Sequence, residues 1–198
     1  MVEPSFSVTR ARPLRTARLV LRPYEEGDLA FLADMFGRED VARYLPWPPM
    51  DLETARAKVE QRLRQTSIGP DADAVVVLVV EAATGRRVGE FMLRMSSPRH
   101  LQGEIGWSVH PDVQGRGFAT EGAREMLRVG FEEVGLHRIA AECDPRNSAS
   151  MRVMEKLGMR REALMVEAEL IKGEWVDSLI FGQIEPEWRA SSGAAAVG

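Results

Sequence analysis

A short glycine-rich turn connects a predicted strand directly to a predicted amphipathic helix. The strand, Glu104 to His110, mixes β-branched and aromatic residues and is followed by a proline. The turn reads Gln114-Gly115-Arg116-Gly117-Phe118-Ala119, and apolar residues follow it at helical spacing. Such a turn aims several backbone N–H groups at one point, on the positive end of the helix dipole. The sequence therefore predicts a site for a phosphorylated ligand, with a purely structural turn as the alternative.

Two familiar phosphate-binding patterns do not fit this turn. No Gly-Lys-Ser/Thr follows it, as the loop of a nucleoside triphosphatase requires. The third glycine of a dinucleotide fingerprint is also missing, because Gly122 falls at a different spacing. The expected phosphate carrier is therefore of another kind.

The turn resembles the pyrophosphate-binding motif of the GNAT acetyltransferase superfamily, which reads Gln/Arg-x-x-Gly-x-Gly/Ala. Gln114, Gly117 and Ala119 match that motif. A downstream block also resembles the family, and it reads Pro145-Arg146-Asn147-Ser148-Ala149-Ser150, then Met154-Glu155-Lys156-Leu157-Gly158-Met159. The two blocks in this order and spacing are far more specific than either one alone.

Two N-terminal segments narrow the resemblance to the RimJ/RimL-like branch, which includes acetyltransferases of ribosomal-protein N-termini. They read Thr16-Ala17-Arg18-Leu19-Val20-Leu21-Arg22-Pro23 and Tyr44-Leu45-Pro46-Trp47-Pro48. The resemblance covers residues 14 to 188, which we expect to form a single GNAT acetyltransferase domain. Residues 1–13 are expected to be a flexible leader and residues 189–198 a disordered tail, since neither can bury much surface.

Predicted strands and helices follow one another in an order typical of a mixed α/β sheet. The predicted strands are 18–22, 74–81, 87–95, 104–110, 138–143, 164–171 and 175–184. Helices are predicted at 28–36, at 52–65 behind the cap Asp51, from 118 onward, and from 148 to 157. One helix crosses between strands 104–110 and 138–143, so these two should be parallel. The resemblance implies the α/β (α+β) GNAT fold, a mixed, mostly antiparallel central sheet with a splayed parallel strand pair and flanking helices.

Composition is compatible with one cytoplasmic domain. A chain of 198 residues with 44% hydrophobic content is long enough for one well-buried core. The net charge of −4 argues against a nucleic-acid-binding surface. The single cysteine, Cys143, excludes an intramolecular disulfide and fits a reducing cytosol. No apolar run reaches the length of a membrane span, and the histidines lack ligand spacing, so neither membrane nor metal binding is predicted.

The resemblance also implies where acetyl-CoA binds. Its pantetheine arm would pair with the first strand of the splayed pair, its pyrophosphate would meet the N–H groups of residues 115 to 120, and an asparagine would bond the arm. The implied cofactor-binding residues are Ser108, Val109, Gln114, Gly115, Arg116, Gly117, Phe118, Ala119, Thr120 and Asn147. The alternative for Arg116 is a side chain that is merely solvated and contacts no phosphate. Asn147 could also cap a helix, and this role is compatible with cofactor binding.

Acyl transfer to an amine needs a base for the amine, a donor to the carbonyl oxyanion, and a proton for the thiolate leaving group. By the resemblance, Glu104 is the candidate base and a backbone N–H near Ser108 the oxyanion donor. Ser150 is the candidate donor to the thiolate, since Met154 replaces the tyrosine that many members carry. The alternatives are a solvated strand-end Glu104 and a structural Ser150 hydroxyl. Trp47 is expected either to wall the acceptor site or to be a hydrophobic anchor.

We therefore predict an acetyl-CoA-dependent N-acetyltransferase that works by direct attack in a ternary complex, without a metal. No motif places a histidine beside Cys143, so an acyl-enzyme is not expected. The acceptor stays open among a protein N-terminus, an amino acid or polyamine, and an antibiotic amine. The alternative is a catalytically silent acetyl-CoA sensor, and a third hypothesis is a CoA thioesterase or other acyl-group transferase. A homodimer contact through the terminal hairpin is a further expectation.

Overall fold

The computed structural model describes residues 8–9, 12–69 and 72–195. The strands are β1 (Val8–Thr9), β2 (Leu14–Arg15), β3 (Leu19–Arg22), β4 (Thr66–Gly69), β5 (Ala72–Glu81), β6 (Arg87–Ser97), β7 (Gln102–Val109), β8 (Arg138–Cys143), β9 (Arg160–Ile171) and β10 (Glu174–Ile184). The helices are α1 (Leu29–Phe36), α2 (Glu39–Ala42), α3 (Leu52–Arg64), α4 (Phe118–Arg128), α5 (Ser148–Lys156) and α6 (Glu185–Ala195). The described helices all lack the length and apolar character that crossing a bilayer requires.

The strands of the described residues form one mixed sheet. Its path runs β1-β4-β5-β6-β7-β8-β10-β9, and β3 joins it through β5 and pairs in turn with β2. Neighbouring strands are antiparallel except for β7 and β8, which are parallel because α4 crosses between them. This architecture confirms the predicted fold class.

The parallel pair β7 and β8 separates after a short paired stretch. Only Gln102, Gly103 and Glu104 pair with β8, opposite Arg138 to Ala140, although both strands continue beyond that point. The following residues of β7 keep their bonds to β6 on the other side, so β7 itself remains extended. A gap therefore opens between the C-terminal ends of the two strands.

The sheet separates two hydrophobic cores, which explains the nearly continuous apolar run of β5. Val75 and Val77 point to a core that includes α4, whereas Val76 and Leu78 point to a core that includes α1 and α3. A strand covered on both faces is apolar at successive positions. Burying each such side chain contributes about 1.5–3 kcal/mol relative to leaving it in water. These cores hold the floor of the gap between β7 and β8 in place.

Several elements depart from the sequence-based expectations. The helix α4 continues directly into a π-helical turn, Val129–Glu133, and neither β4 nor α2 was predicted. Val8–Thr9 pairs with β4, so part of the predicted flexible leader is a strand, while most of that leader lies outside the described residues.

The last helix, α6, runs from Glu185 to Ala195, through part of the segment from residue 189 that was expected to be a disordered tail. Trp188 stacks on Phe131 with 5.7 Å between ring centroids, and its Nε1–H donates to Glu132 at 2.9 Å. This anchor allows the following alanines and serines to continue the helix, since alanine has the best helix propensity. Residues 196–198 lie outside the described residues.

Candidate functional site

The glycine turn has the backbone geometry that a phosphate cradle needs. Gly115 and Gly117 have φ values of 74° and 81°, in the left-handed region that glycine enters at little cost. Gly117 is the N-cap residue of α4, and the Phe118 ring behind it is buried. Gln114 donates from Nε2 to the Val109 carbonyl at 2.9 Å, which folds the turn back onto the end of β7. The turn thus presents the N-terminus of α4 to the open end of β7.

A polar brace ties this turn and the first part of α4 to the connection between β2 and β3. The Glu121 carboxylate accepts hydrogen bonds from Thr16 Oγ1 at 2.6 Å, and from the backbone N and Nε of Arg18 at 2.8 and 2.7 Å. Arg18 also donates to the Arg116 carbonyl at 2.9 Å. Burial acts to raise the pKa of Glu121, but the bonds from Thr16 and Arg18 outweigh it and lower that pKa. A carboxylate whose charged form is favoured therefore holds the turn in place.

Arg116 is the one predicted cofactor residue that lies away from the others. Its Nη2 is 2.7 Å from Glu81 Oε1, and its guanidinium lies 4.8 Å from the centroid of the Phe118 ring. It does not line the cavity beside the turn. Its side chain braces the outer face of the turn through these contacts.

The remaining predicted cofactor residues meet at one cavity of about 500 Å³. The cavity runs from the turn into the gap between β7 and β8 and along the first turn of α5. The predicted residues that line it are Ser108, Val109, Gln114, Gly115, Gly117, Phe118, Ala119, Thr120, Asn147 and Ser150. We call this the cofactor cavity.

Asn147 and Ser150 are linked at the start of α5. Asn147 is the N-cap residue, and its Oδ1 accepts the Ser150 backbone N–H at 3.1 Å. This bond satisfies one of the free donors at the helix N-terminus and sets the first turn of α5 against the cavity. Ser150 therefore has a fixed backbone position beside the gap.

A second cavity of about 550 Å³ lies against the sheet face on which Glu104 and Ser108 project. It is lined by Trp47, by polar groups of α3, and by the ends of β8, β9 and β10. It shares its wall with the cofactor cavity at Tyr44, Leu45, Trp107, Ser108, Glu142, Cys143 and Asp144. We call it the acceptor cavity, and the shared wall is where the two cavities meet at the splayed strands.

Two glutamates of the splayed strands, Glu104 on β7 and Glu142 on β8, line the acceptor cavity, and they are held differently. Glu104 lies 2.5 Å from Arg94 Nη2 and lines the acceptor cavity but not the shared wall. Glu142 lies in the shared wall and accepts a hydrogen bond from the buried hydroxyl of Ser178. Glu142 was not among the catalytic residues predicted from the sequence. The alternation of β8 carried a usable signal, because the buried Ile139 and Ala141 put Glu142 on the open face.

Cys143 lies in the shared wall but is a poor nucleophile. Burial raises the pKa of its thiol to about 11, and the nearby Asp144 and Glu142 act in the same direction. Since the thiolate is the reactive form, this shift makes the side chain a weak nucleophile near neutral pH.

A buried polar network forms the floor of the acceptor cavity. Glu90 is 7% exposed, and it receives both Arg62 Nε and Nη2, at 2.8 and 2.6 Å, and the Tyr24 hydroxyl at 2.8 Å. Burial is the main cause that raises the pKa of Tyr24 well above its ordinary value, with Glu90 adding to it. Fully bonded buried charges of this kind make a rigid floor.

Trp47 belongs to both a core and the acceptor cavity. Its ring meets Phe36 edge-on with 6.2 Å between centroids, and the Lys58 ammonium lies 4.2 Å from the centroid of its ring.

Within the described part of the chain, no group of three or more His, Cys, Asp or Glu side chains is placed to hold a metal ion.

Comparisons with known proteins agree with this geometry. Residues 18–160 match the family described as Acetyltransferase (GNAT) domain. The chain is 32% identical to YnaD, an uncharacterized N-acetyltransferase of Bacillus subtilis (strain 168), over 88% of this chain and 98% of YnaD. A crystal structure of a GNAT-family acetyltransferase from Bacillus anthracis superposes with a TM-score of 0.79 at 30% identity, covering 88% of this chain and 99% of that one. The fold is also that of a spermidine N-acetyltransferase from Vibrio cholerae in complex with CoA and spermine, with a TM-score of 0.75, 21% identity and coverage of 88% and 99%.

Proposed function

Because the chain belongs to the GNAT acetyltransferase family, we propose that it transfers an acetyl group from acetyl-CoA to a primary amine by direct attack in a ternary complex. The observation that carries this proposal is the meeting of two cavities at the gap between β7 and β8. The cofactor cavity ends at the glycine turn before α4, and the acceptor cavity opens on a separate side of the sheet. An acetyl donor and an amine acceptor can therefore reach the same point from different directions.

The proposed donor site uses the residues that line the cofactor cavity. Backbone N–H groups of residues 115 to 120 at the N-terminus of α4 would hold the pyrophosphate. The free edge of β7 at Ser108 and Val109 would pair with the pantetheine arm as a further strand would, since β8 has separated from it there. Asn147 would bond the arm while its Oδ1 caps α5. The site needs no metal for this binding.

The proposed chemistry uses four groups at or beside the shared wall. Glu142 or Glu104 accepts a proton from the acceptor ammonium, directly or through water, and the freed lone pair attacks the thioester carbonyl carbon. A backbone N–H near Ser108 donates to the oxyanion that develops. The carbon–sulfur bond then breaks, Ser150 passes its proton to the departing thiolate, and the nitrogen gives its second proton back to Ser150. The ammonium thus loses two protons, of which one ends on the CoA thiol and the other leaves from the glutamate to solvent.

The test of this proposal is acetyl-CoA binding followed by turnover. We expect calorimetric titration to show binding, and release of free CoA to accelerate with some member of a panel of amines and N-terminal peptides. Tight binding without turnover of any acceptor would favour the alternative, a catalytically silent acetyl-CoA sensor. Acyl-chain preference, measured with longer acyl-CoAs, separates acetyl transfer from thioesterase or other acyl-transfer activity.

Ser150→Ala should lower kcat about ten- to a hundredfold, because the thiolate would leave without its proton donor. The acetyl-CoA dissociation constant should stay unchanged, since the Asn147 cap bonds the backbone of residue 150 and not its side chain. Steady-state rates and calorimetry on the same preparation measure both quantities. An unchanged kcat would assign the Ser150 hydroxyl a structural role.

The proposed acceptor is a protein N-terminus or a small-molecule amine. The RimJ/RimL-like segments support a protein N-terminus, and the spermidine N-acetyltransferase of the same fold supports a small amine. A cytoplasmic location is part of this proposal, supported by a single unpaired cysteine.

The proposal includes a homodimer through the terminal hairpin. β9 is an edge of the sheet, and exposed apolar side chains lie along it and its partner: Leu164, Met165, Val166, Leu170 and Trp175. A second copy of the same edge can pair with it across a two-fold axis. Sedimentation should show twice the chain mass of 22.1 kDa for wild type and the single mass for Val166→Glu. A monomeric wild type would contradict this contact.

A further inference from the structure

The acceptor cavity has an uneven distribution of charge between its two sides. Side chains of α3 and β6 form one side, and side chains from the ends of β8, β9 and β10 form the other. Three strand spacings separate β6 from β10 in the sheet, which is about 14 Å for regular pairing and more where β7 and β8 splay. The two sides are therefore far enough apart to contact different ends of one small molecule.

Lys58 carries the unbalanced positive charge on the first side. The neighbouring cations are already paired, Arg62 with Glu90 and Arg94 with Glu104. By contrast, none of the ion pairs among the described residues includes Lys58, whose ammonium is positioned over the Trp47 ring at 4.2 Å. Burial lowers the pKa of Lys58, with Arg62 acting in the same direction and Glu90 opposing them, and an anion beside the ammonium would favour its charged form.

The opposite side carries an excess of carboxylates. Glu142 stands in the shared wall, where the reacting amine must arrive, and Glu169, Glu174 and Asp177 of the terminal hairpin line the cavity beyond it. Asp144 is also on this side and pairs with Arg146 at 2.5 Å. The other cations near it are Lys172, which donates to the Ala42 carbonyl at 2.5 Å, and Arg43, which lies over the Tyr44 ring, so carboxylates still outnumber cations. An ammonium is therefore attracted to this side and repelled from the Lys58 side.

On the basis of the proposed acetyltransfer, we infer that the acceptor is a small amine that also bears a carboxylate, and that Lys58 binds this carboxylate while the amine lies at Glu142. A carboxylate beside a half-buried ammonium gains a charge-assisted hydrogen bond. A polyamine would place its second cation against Lys58, where no carboxylate remains free to balance it. The charge pattern therefore selects amino acids and ω-amino acids over polyamines.

The test compares matched acceptors that differ only in the carboxylate. Glycine, β-alanine, γ-aminobutyrate and ε-aminocaproate are each paired with their amides, and spermidine is added as the polycation. With saturating acetyl-CoA, kcat/KM for the best acid should exceed that of its amide by about 10- to 100-fold. The number of carbons in the amino acid that reacts best then indicates the distance between the Lys58 ammonium and the shared wall.

Three variants identify Lys58 as the cause of this preference. Lys58→Gln should lower kcat/KM for the acid to the level of its amide and leave the amide unchanged, whereas Lys58→Arg should keep the preference. Arg56→Gln removes a positive charge from an exposed position of the same helix and should change neither. The wild-type preference stands as a test even where Lys58→Gln fails to fold.

The outcomes that overturn the inference are distinct from those that overturn the enzyme. Equal turnover of acids and amides, or a preference for spermidine, refutes the carboxylate and leaves the acetyltransferase in place. A preference for acids that survives in Lys58→Gln refutes the role of Lys58. Turnover of an N-terminal peptide without turnover of any member of this panel refutes the inference alone, whereas acetyl-CoA binding without turnover of either kind of acceptor refutes both proposals.

Discussion

Gly117→Asp should abolish measurable binding of acetyl-CoA, with an expected loss of more than about 100-fold in affinity. The residue has φ of 81°, and a non-glycine residue in this region costs about 1–2 kcal/mol. A Cβ there would lie 3.3 Å from Arg18 Nη2, within the brace that holds the turn. The added carboxylate would also replace the anion site at the N-terminus of α4 with a negative charge. Calorimetric titration of acetyl-CoA into the variant measures this loss.

Gly135→Asp is the matched control for this variant. Gly135 has φ of 77°, and a Cβ there would have no heavy atom within 4 Å. The control therefore carries the same backbone strain and the same new charge, far from the turn. It should lose a comparable amount of stability in thermal unfolding and still bind acetyl-CoA. Equal binding by both folded variants would refute the assignment of the turn to the pyrophosphate.

Glu142→Gln should lower kcat by about a hundred- to ten-thousandfold, the range expected for loss of a general base. Its carboxylate lies in the wall that the two cavities share, and the buried Ser178 hydroxyl orients it there. The acetyl-CoA affinity should be retained, since the phosphate turn is untouched. Pre-steady-state and steady-state release of CoA with a reactive acceptor measures the effect.

Glu104→Gln is the comparison that decides between the two carboxylates. Glu104 is held by Arg94 and stands outside the shared wall, so we expect its substitution to lower kcat by less than about tenfold. The opposite ranking of the two variants would make Glu104 the base, as the resemblance implied. A large loss in both would indicate that the two carboxylates act together on one proton.

The features that local sequence predicted well are those that depend on neighbours along the chain. Asp51 accepts the Thr54 N–H at 2.8 Å as the cap of α3, and Asn147 caps α5. Both glycines of the turn adopt the positive φ that makes glycine necessary there. The parallel orientation of β7 and β8 follows from the helix that crosses between them, so it too was predictable from the order of elements.

The features that sequence reasoning missed arise between distant segments. Arg116 was expected at the cavity, but its direction is set by Glu81 on β5 and by stacking on Phe118. Glu142 became a candidate base only because Ser178 of β10 and the splay of β8 place it between two cavities. Lys58 likewise stands out only in the folded chain, because the neighbouring Arg62 and Arg94 form ion pairs with Glu90 and Glu104 there.

The sequence by itself determined the family, the order of the main strands and helices, and the glycine turn before α4, because each of these motifs and elements depends on residues within a few positions of one another. The tertiary structure decided which charged side chains are free to act, because the partner of each one lies on another strand or helix. Glu104 and Lys58 show the difference. Their identities are visible in the sequence, but only the folded chain leaves Glu104 bound to Arg94 and leaves Lys58 in the acceptor cavity without a carboxylate partner among the described residues.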